Sequence, residues 1–352
     1  MVSVSAHSLG NTVNALRWRV GLAECNQLLS KGGVVAIGRN EGKRLEKCLK
    51  SAVGSVCLVV YVDSGSTDGS IELARAMGVE VVALDMRVPF TAARARNEGF
   101  RRLREMAPDL AVVQFVDGDC EIIPDWFRKA VEFLEAHPEV AVVCGRRRER
   151  HPERSIYNML CDIEWDTPIG NTKACGGDAM MRVDAFEAVN GYRATLIAGE
   201  EPELCVRLRA ANWRIWRLDE EMTLHDAAIT RFSQWWTRTL RAGYAFAQGA
   251  DLHGMPPERH GVRESRSAWF WGLGVPMAVS GLALLWGAWA SALLLVYPLQ
   301  VFRLSMRGTG SVRENWWHAA FLVLGKFPEV LGQMKFLSNR YFGGQARVIE
   351  YK

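Results

Sequence analysis

No two of the eight cysteines stand as a Cys-x-x-Cys pair, and no stretch resembles a secretory signal. A disulfide framework is therefore not expected, and reduced thiols facing the cytosol are. Internal repeats and low-complexity tracts are absent too. With 23% charged and 49% hydrophobic residues, the composition excludes a disordered or collagen-like chain. Acidic residues are scarce at one end: from Arg266 to Lys352 nine Lys/Arg stand against three Asp/Glu, so the basic excess of a chain of net charge +4 sits in its tail. Charge of either sign is missing from Trp269 to Phe302, thirty-four residues long, which makes that stretch a membrane candidate.

What is present before the tail is an alternation. Apolar runs at Val34–Ile37, Val56–Val62, Val79–Leu84 and Ala111–Val116 are each followed by a helical pattern, at Arg44–Val53, Ser70–Met77, Thr91–Met106 and Asp125–Ala136. Such alternation predicts an α/β fold with a mostly parallel sheet covered by helices on both faces. Val140–Cys144 reads as a further strand running into the basic stretch Arg146–Arg150. Glu200–Ala211 reads as a helix, Trp213–Leu218 as a short strand, and Arg231–Ala247 as an aromatic-rich amphipathic helix. At 352 residues, a catalytic domain with an appendage is the expected organisation.

Ligands of parallel sheets bind at the carboxyl ends of the strands. Three such ends carry acidic or amide side chains beside small residues: Gly38-Arg39-Asn40-Glu41, the run Asp63 to Ser70, and Asp117-Gly118-Asp119. An Asp-x-Asp at a strand end suits a hard divalent cation, Mg²⁺ or Mn²⁺, that bridges a diphosphate. As a plain polar turn, Asp-Gly-Asp is equally well formed. His225, after the strand-like Met222–Leu224, reads either as a further metal ligand or as a structural histidine. Gln234-Trp235-Trp236-Thr237-Arg238 offers an aromatic and a cation on the amphipathic helix.

Taken together, these motifs resemble a known family. Val34–Ile37 with Arg39-Asn40-Glu41, Asp63 to Ser70, Ala95-Arg96-Asn97-Glu98-Gly99, Asp117-Gly118-Asp119 and Gly199-Glu200-Glu201-Pro202-Glu203-Leu204 have the order and spacing of family-2 glycosyltransferases of the GT-A fold, of the membrane-associated bacterial type. The resemblance extends from about Val34 to Ala247. It implies a nucleotide-diphosphate-sugar donor, UDP-sugar favoured, held by Asn40, Glu41, Asp63, Arg94, Arg96, Asn97 and Asp117. It implies a metal at Asp119, with Asp117 as ribose or supporting partner and His225 as third ligand. Glu201 takes the place of the family's catalytic base, with Glu200 as the fallback; Glu stands here where Asp is usual in the family. Gly177, Asp178, Trp235 and Arg238 fall on the acceptor side. An acidic first turn favoured by the helix dipole explains the Glu200–Glu203 cluster without any catalytic role.

The expected organisation is a lead-in segment (1–33), a catalytic domain (34–250) and a membrane-associating helical region (251–352). A single straight helix over 269–302 would be about 50 Å long against a hydrocarbon core of about 30 Å, so a hairpin bent near Gly287 is expected. Arginines on both flanks place its two ends, and the catalytic domain, at the cytoplasmic face. The implied function is inverting sugar transfer to a lipid-linked or polysaccharide acceptor, with no nucleic-acid partner. Alternatives are a nucleotidyltransferase, for which the first loop lacks a glycine-rich basic triphosphate cradle, and a non-catalytic membrane scaffold, which would have lost its carboxylates.

Overall fold

A computed structural model describes residues 31–343, apart from Cys57. The expected lead-in segment lies almost wholly outside the described residues.

Runs rich in Val and Ile become strands because branched side chains pack well on a pleated surface. Strands β1 (Gly32–Gly38), β2 (Leu58–Asp63), β3 (Glu80–Ala83) and β4 (Val112–Asp117) pair in parallel in the order β3-β2-β1-β4. Helices α1 (Lys43–Val53), α2 (Ser70–Ala76) and α3 (Ala92–Met106) connect them. Val34, Val35 and Ala36 of β1 are fully buried, as in a strand covered on both faces. α3 begins at Thr91, whose Oγ1 accepts from the Arg94 N–H at 3.0 Å, a side-chain cap. It lies so close to the sheet that a Cβ on Gly99 would come within 2.4 Å of Val35.

Past β4 the sheet changes character. The following elements are β5 (Cys120–Ile122), α4 (Trp126–Ala136), β6 (Val140–Glu149), α5 (Ile156–Glu164), β7 (Gly170–Thr172), β8 (Ala179–Arg182), α6 (Val183–Ala188), α7 (Glu200–Ala210) and β9 (Arg214–His225). The described strands form one sheet ordered β3-β2-β1-β4-β8-β6-β9-β5, with β7 also on β9. β8 is antiparallel to both β4 and β6, β5 and β7 are antiparallel to β9, and only the β6–β9 pair returns to parallel. The expected mostly parallel sheet is thus corrected to a mixed one. Strand–helix alternation fixes direction only where a crossover of about a dozen residues joins two strands, and β5 follows β4 across Gly118 and Asp119 alone. The expected strand at Trp213–Leu218 and the strand-like Met222–Leu224 are one continuous β9.

Helix α8 (Phe232–His253) follows β9 and carries the tail. The next helix, α9 (Val262–Trp286), and α10 (Ala288–Ser305) are each long and apolar enough to cross a membrane, and little of either is buried. Gly287, at φ 96°, separates them in a conformation glycine adopts without strain. The bend is where the sequence places it. Leu284 and Trp289, on either side, are 88% and 72% exposed.

Helices α11 (Val312–Leu324) and α12 (Lys326–Phe342) complete the described chain. α12 lies directly on α8 because glycines remove side chains at both crossings. A Cβ on Gly243 would meet the Glu329 carbonyl oxygen at 2.1 Å, and one on Gly332 would meet that of Leu240 at 2.0 Å. Tyr244 and Phe336 pack edge to face beside them, centroids 5.3 Å apart. Gly332→Val should therefore force α8 and α12 apart, at a cost of about 1–3 kcal/mol for overpacking. The expected result is a lower unfolding midpoint and faster tryptic cleavage at Lys335. Gly281→Val, where an added Cβ meets nothing within 4 Å, should change neither.

Candidate active site

A cleft of about 920 Å³ opens at the carboxyl ends of β1 and β4 and is walled by residues of α7, β9 and α8. Its floor is built from two tied loops. Asn40, in the left-handed region at φ 56°, accepts with Oδ1 from the Thr67 N–H at 2.7 Å, and its own N–H donates to Ser66 Oγ at 2.9 Å. Glu41 lines the cleft and pairs with Arg44 at 2.7 Å.

The centre of the cleft is a buried arginine. Arg96, 2% exposed, donates through Nη2 to Asp117 Oδ1 at 2.8 Å and through Nη1 to Glu200 Oε1 at 2.9 Å, with Glu201 Oε1 also 2.9 Å from Nη1. Three carboxylates from β4 and the first turn of α7 thus share one guanidinium. Gly177 supplies the space: a Cβ there would lie 2.7 Å from Arg96 Nη2, 2.9 Å from Asp117 Oδ2 and 3.2 Å from Glu201 Oε1. α7 starts after Gly199, in the left-handed region at φ 76°, so the chain turns sharply to aim Glu200 and Glu201 at Arg96.

Glu201 is the one of the two adjacent glutamates with solvent access, its side chain 14% exposed against 5% for Glu200. Its carboxyl pKa is pushed up to about 7, chiefly by burial, next by the charge of Glu200, and against the pull of Arg96. A carboxylate poised there suits proton abstraction near neutral pH.

Asp119 and His225 form the second constellation. Asp119 Oδ1 lies 3.3 Å from His225 Nε2, with both side chains buried. Cys120 Sγ is 3.7 Å from the same oxygen. Burial raises the Cys120 thiol well above its usual range, so it stays protonated and is a poor ligand. One carboxylate and one imidazole remain as a donor pair fitting a divalent cation, the other positions falling to donor oxygens and water. Asp117, Cys120 and Asp178 also lie close together. Asp178 is fully buried and already engaged: it accepts from the Asp117 N–H at 3.0 Å, from Thr223 Oγ1 at 2.7 Å and from Arg147 Nε at 2.9 Å. Its carboxylate fixes the Asp117 backbone rather than meeting an acceptor.

Several residues expected at the ligand are engaged in other contacts. Asp63, 1% exposed, accepts from Tyr61 Oη at 2.9 Å with Oδ1, and from Gly65 N–H at 2.9 Å and Ser66 N–H at 2.8 Å with Oδ2, so one oxygen holds a β2 side chain and the other the turn after β2. Arg94 donates to the carbonyls of Val88 and Asp85 at 2.9 and 3.1 Å, bracing the preceding loop. Asn97 clamps the Tyr192 backbone, donating to its carbonyl at 2.7 Å and accepting from its N–H at 2.9 Å. Trp235 is buried, its ring 4.7 Å from that of Phe321 on α11. Arg238 lines the cleft and holds Glu164 through paired contacts of 2.8 and 2.9 Å.

Sequence reading passed over Arg147 and Glu149, seeing only a basic run. They stand two apart on β6, the spacing that puts side chains on one face of a strand, and a period-two reading of that run would have separated them from their exposed neighbour Arg148.

A mixed sheet with a donor pair at one strand end and a buried carboxylate beside it is a GT-A-like arrangement with residues that could hold a divalent cation. Residues 34–189 match the family described as Glycosyl transferase family 2. Among solved structures, the mannosyltransferase PcManGT from Pyrobaculum calidifontis, in complex with GDP-Man and Mn²⁺, aligns over 95% of this chain and 96% of its own with a TM-score of 0.61. At 17% identity, that likeness is one of fold. The succinoglycan biosynthesis protein ExoA of Rhizobium meliloti is 27% identical over 221 residues, 55% of this chain and 63% of its own. Glycosyltransferase AglE of Haloferax volcanii is 23% identical over 201 residues, 53% of this chain and 64% of its own. The match thus spans just under two thirds of each of these curated relatives.

Arg96→Gln should leave three carboxylates crowded around a neutral side chain. Breaking a buried ion cluster by removing one partner costs about 3–5 kcal/mol. The expected outcome is a large loss in denaturant midpoint; a change under about 1 kcal/mol would remove Arg96 from the centre of the site.

Proposed function

We propose that this protein is an inverting glycosyltransferase that moves a sugar from a nucleotide-diphosphate donor to a lipid-linked or polysaccharide acceptor at the cytoplasmic membrane face. The observation that carries the reading is Glu201, a cleft-facing carboxylate raised to about 7 beside Arg96 and across the cleft wall from Asp119 and His225. The acceptor hydroxyl gives its proton to Glu201 as its oxygen bonds to the anomeric carbon, and the nucleotide diphosphate departs from the opposite face of the sugar. Asp119 and His225 would hold a divalent cation, which when bound would supply charge stabilisation to the departing diphosphate. Arg96 stays charged throughout and keeps Glu200 and Asp117 in place while Glu201 changes protonation. To the donor's base we assign the part of the cleft at Asn40, Ser64 and Phe90, on the support of its open lining and of Arg39 lying over the Phe90 ring at 5.1 Å. A UDP-sugar is the donor favoured by the motif resemblance; the GDP-Man complex of the Pyrobaculum protein makes a guanosine donor the first competitor to try.

Membrane attachment is supported by α9 and α10, whose apolar side chains face outward around the Gly287 bend. Their covering by lipid accounts for exposed Leu284, Leu285, Trp286 and Trp289, a patch that water would disfavour. An acceptor carried in or made at the membrane follows from that placement.

Two outcomes are expected. Glu201→Gln should bind donor as the wild type does and lose transfer by 10²-fold or more, on the order of a general base's contribution. In the unaltered enzyme, transfer should rise as pH increases through about 7, because the base works only when ionised. The same raised pKa makes the folded state bind a proton that the unfolded state, with a pKa of 4.5, has released, so stability falls over that rise. Rates at wild-type level in Glu201→Gln, scored as metal-dependent nucleotide release with a panel of nucleotide sugars, would remove Glu201 from the base role. Second, Leu284→Glu with Leu285→Glu, at exposed positions, should leave folding intact and move the protein from the membrane to the soluble fraction. Unchanged sedimentation with membranes would argue against attachment through the hairpin.

A further inference from the structure

His225 is held on three sides, and one of them has no part in the transfer reaction. Nε2 points to Asp119, the ring meets Trp165 edge to face with centroids 4.6 Å apart, and Nδ1 lies 3.6 Å from Glu149 Oε2. Nδ1 is buried and makes no hydrogen bond. Glu149 has a fully buried side chain and is immobilised by three donors. Oε2 accepts from the Ala227 N–H at 3.0 Å, and Oε1 accepts from the His151 N–H and from Asn158 Nδ2, each at 3.1 Å. Among the described residues no Lys or Arg forms an ion pair with it; its one charge partner is His225.

We infer that Glu149 is a positioning residue for the metal centre: it fixes the His225 ring so that Nε2 presents its lone pair to a divalent cation shared with Asp119. An ionised carboxylate accepts hydrogen bonds and donates none, so the ring nitrogen that faces it is the one bearing hydrogen. That leaves Nε2 as the free donor atom. Nε2 and Asp119 Oδ1 then are two acceptor atoms 3.3 Å apart, a spacing that a cation between them relieves. The 3.6 Å from Nδ1 to Glu149 Oε2 is a few tenths of an ångström beyond an ordinary hydrogen bond, so a small ring adjustment that shortens it would make one. Carboxylates behind metal-bound imidazoles raise ligand basicity and hold the ring, and their loss weakens metal affinity by about 10–100-fold.

This inference rests on the reading of Asp119 and His225 as metal ligands, and the test separates the two. Mn²⁺ alone is titrated into the full-length protein, with free Mn²⁺ read by electron paramagnetic resonance. His225→Ala should weaken binding; unchanged affinity would overturn the ligand reading itself. Glu149→Gln keeps the shape and should weaken Mn²⁺ by about 10–100-fold. In a His225→Ala background, it should produce no additional loss, because Glu149 acts through the ring. Wild-type affinity in folded Glu149→Gln, or losses that add in the double variant, would overturn the inference while leaving the metal site standing. Should Glu149→Gln fail to unfold cooperatively, Glu149→Asp, whose carboxylate is drawn back by one methylene, makes the same comparison. Its weakened binding supports the positioning role, and wild-type binding refutes it.

Discussion

Three carboxylates around one guanidinium is the constraint that organises this cleft. Asp117, Glu200 and Glu201 come from segments far apart in the chain, and at these distances like charges would keep them apart without Arg96. Placing the cation on α3 makes the helix's position on the sheet part of the site, which is why Gly99 must let α3 lie against β1 and β2. Gly177 must likewise leave room for the guanidinium. Arg147, 3.5 Å from Asp117 Oδ2, adds a second positive charge at the end of β4. Burial first, and then the charge of Glu200, raises the Glu201 carboxyl to about 7 while it retains access to the cleft. The buried pairing and the raised carboxyl thus share a cause, the removal of this cluster from water.

A second ion pair limits how that cluster can relax. Asp178 takes the Asp117 N–H with one oxygen and Arg147 with both, so the end of β4 is fixed from the β8 side as Arg96 fixes its side chain from α3. Arg147 in turn lies over the Trp165 ring, and Trp165 meets His225. The acidic strand end and the imidazole are thus linked through packed side chains, and neither can shift alone. Such over-determination fixes the geometry of these side chains before anything binds.

The first four strands were legible in the sequence because each is separated from the next by a helix, and a helical crossover leaves parallel pairing as the outcome. The short strands β5, β7 and β8, three or four residues each, carry no such signal. In the site, strand-end position was legible and side-chain direction was not. Arg94, Arg96 and Asn97 sit within one turn of α3, where successive residues point about 100° apart, so only Arg96 reaches the cleft. Asp63 occupies the right strand end, yet an Asp followed by Gly and Ser has a local alternative, accepting from the N–H groups of its own turn. Propensity and motif agree on the loop and leave the ligand role undetermined.

The tail matters to the cleft through α8. One face of this helix, with Arg238, Arg241, Ala242, Ala245 and Phe246, walls the cleft, and its glycine seam with α12 joins it to the apolar hairpin, since Gly272 at the base of α9 also abuts the Lys326 backbone. Backbone-to-backbone contact at both seams leaves little freedom for the hairpin to move without carrying α8 with it. Ala245 touches Gly199, the residue that turns α7 toward Arg96. The apolar hairpin of α9 and α10 is thereby linked, through α12, α8 and the Gly199 turn, to Glu201. Any movement of the hairpin would therefore shift the cleft wall that faces Glu201.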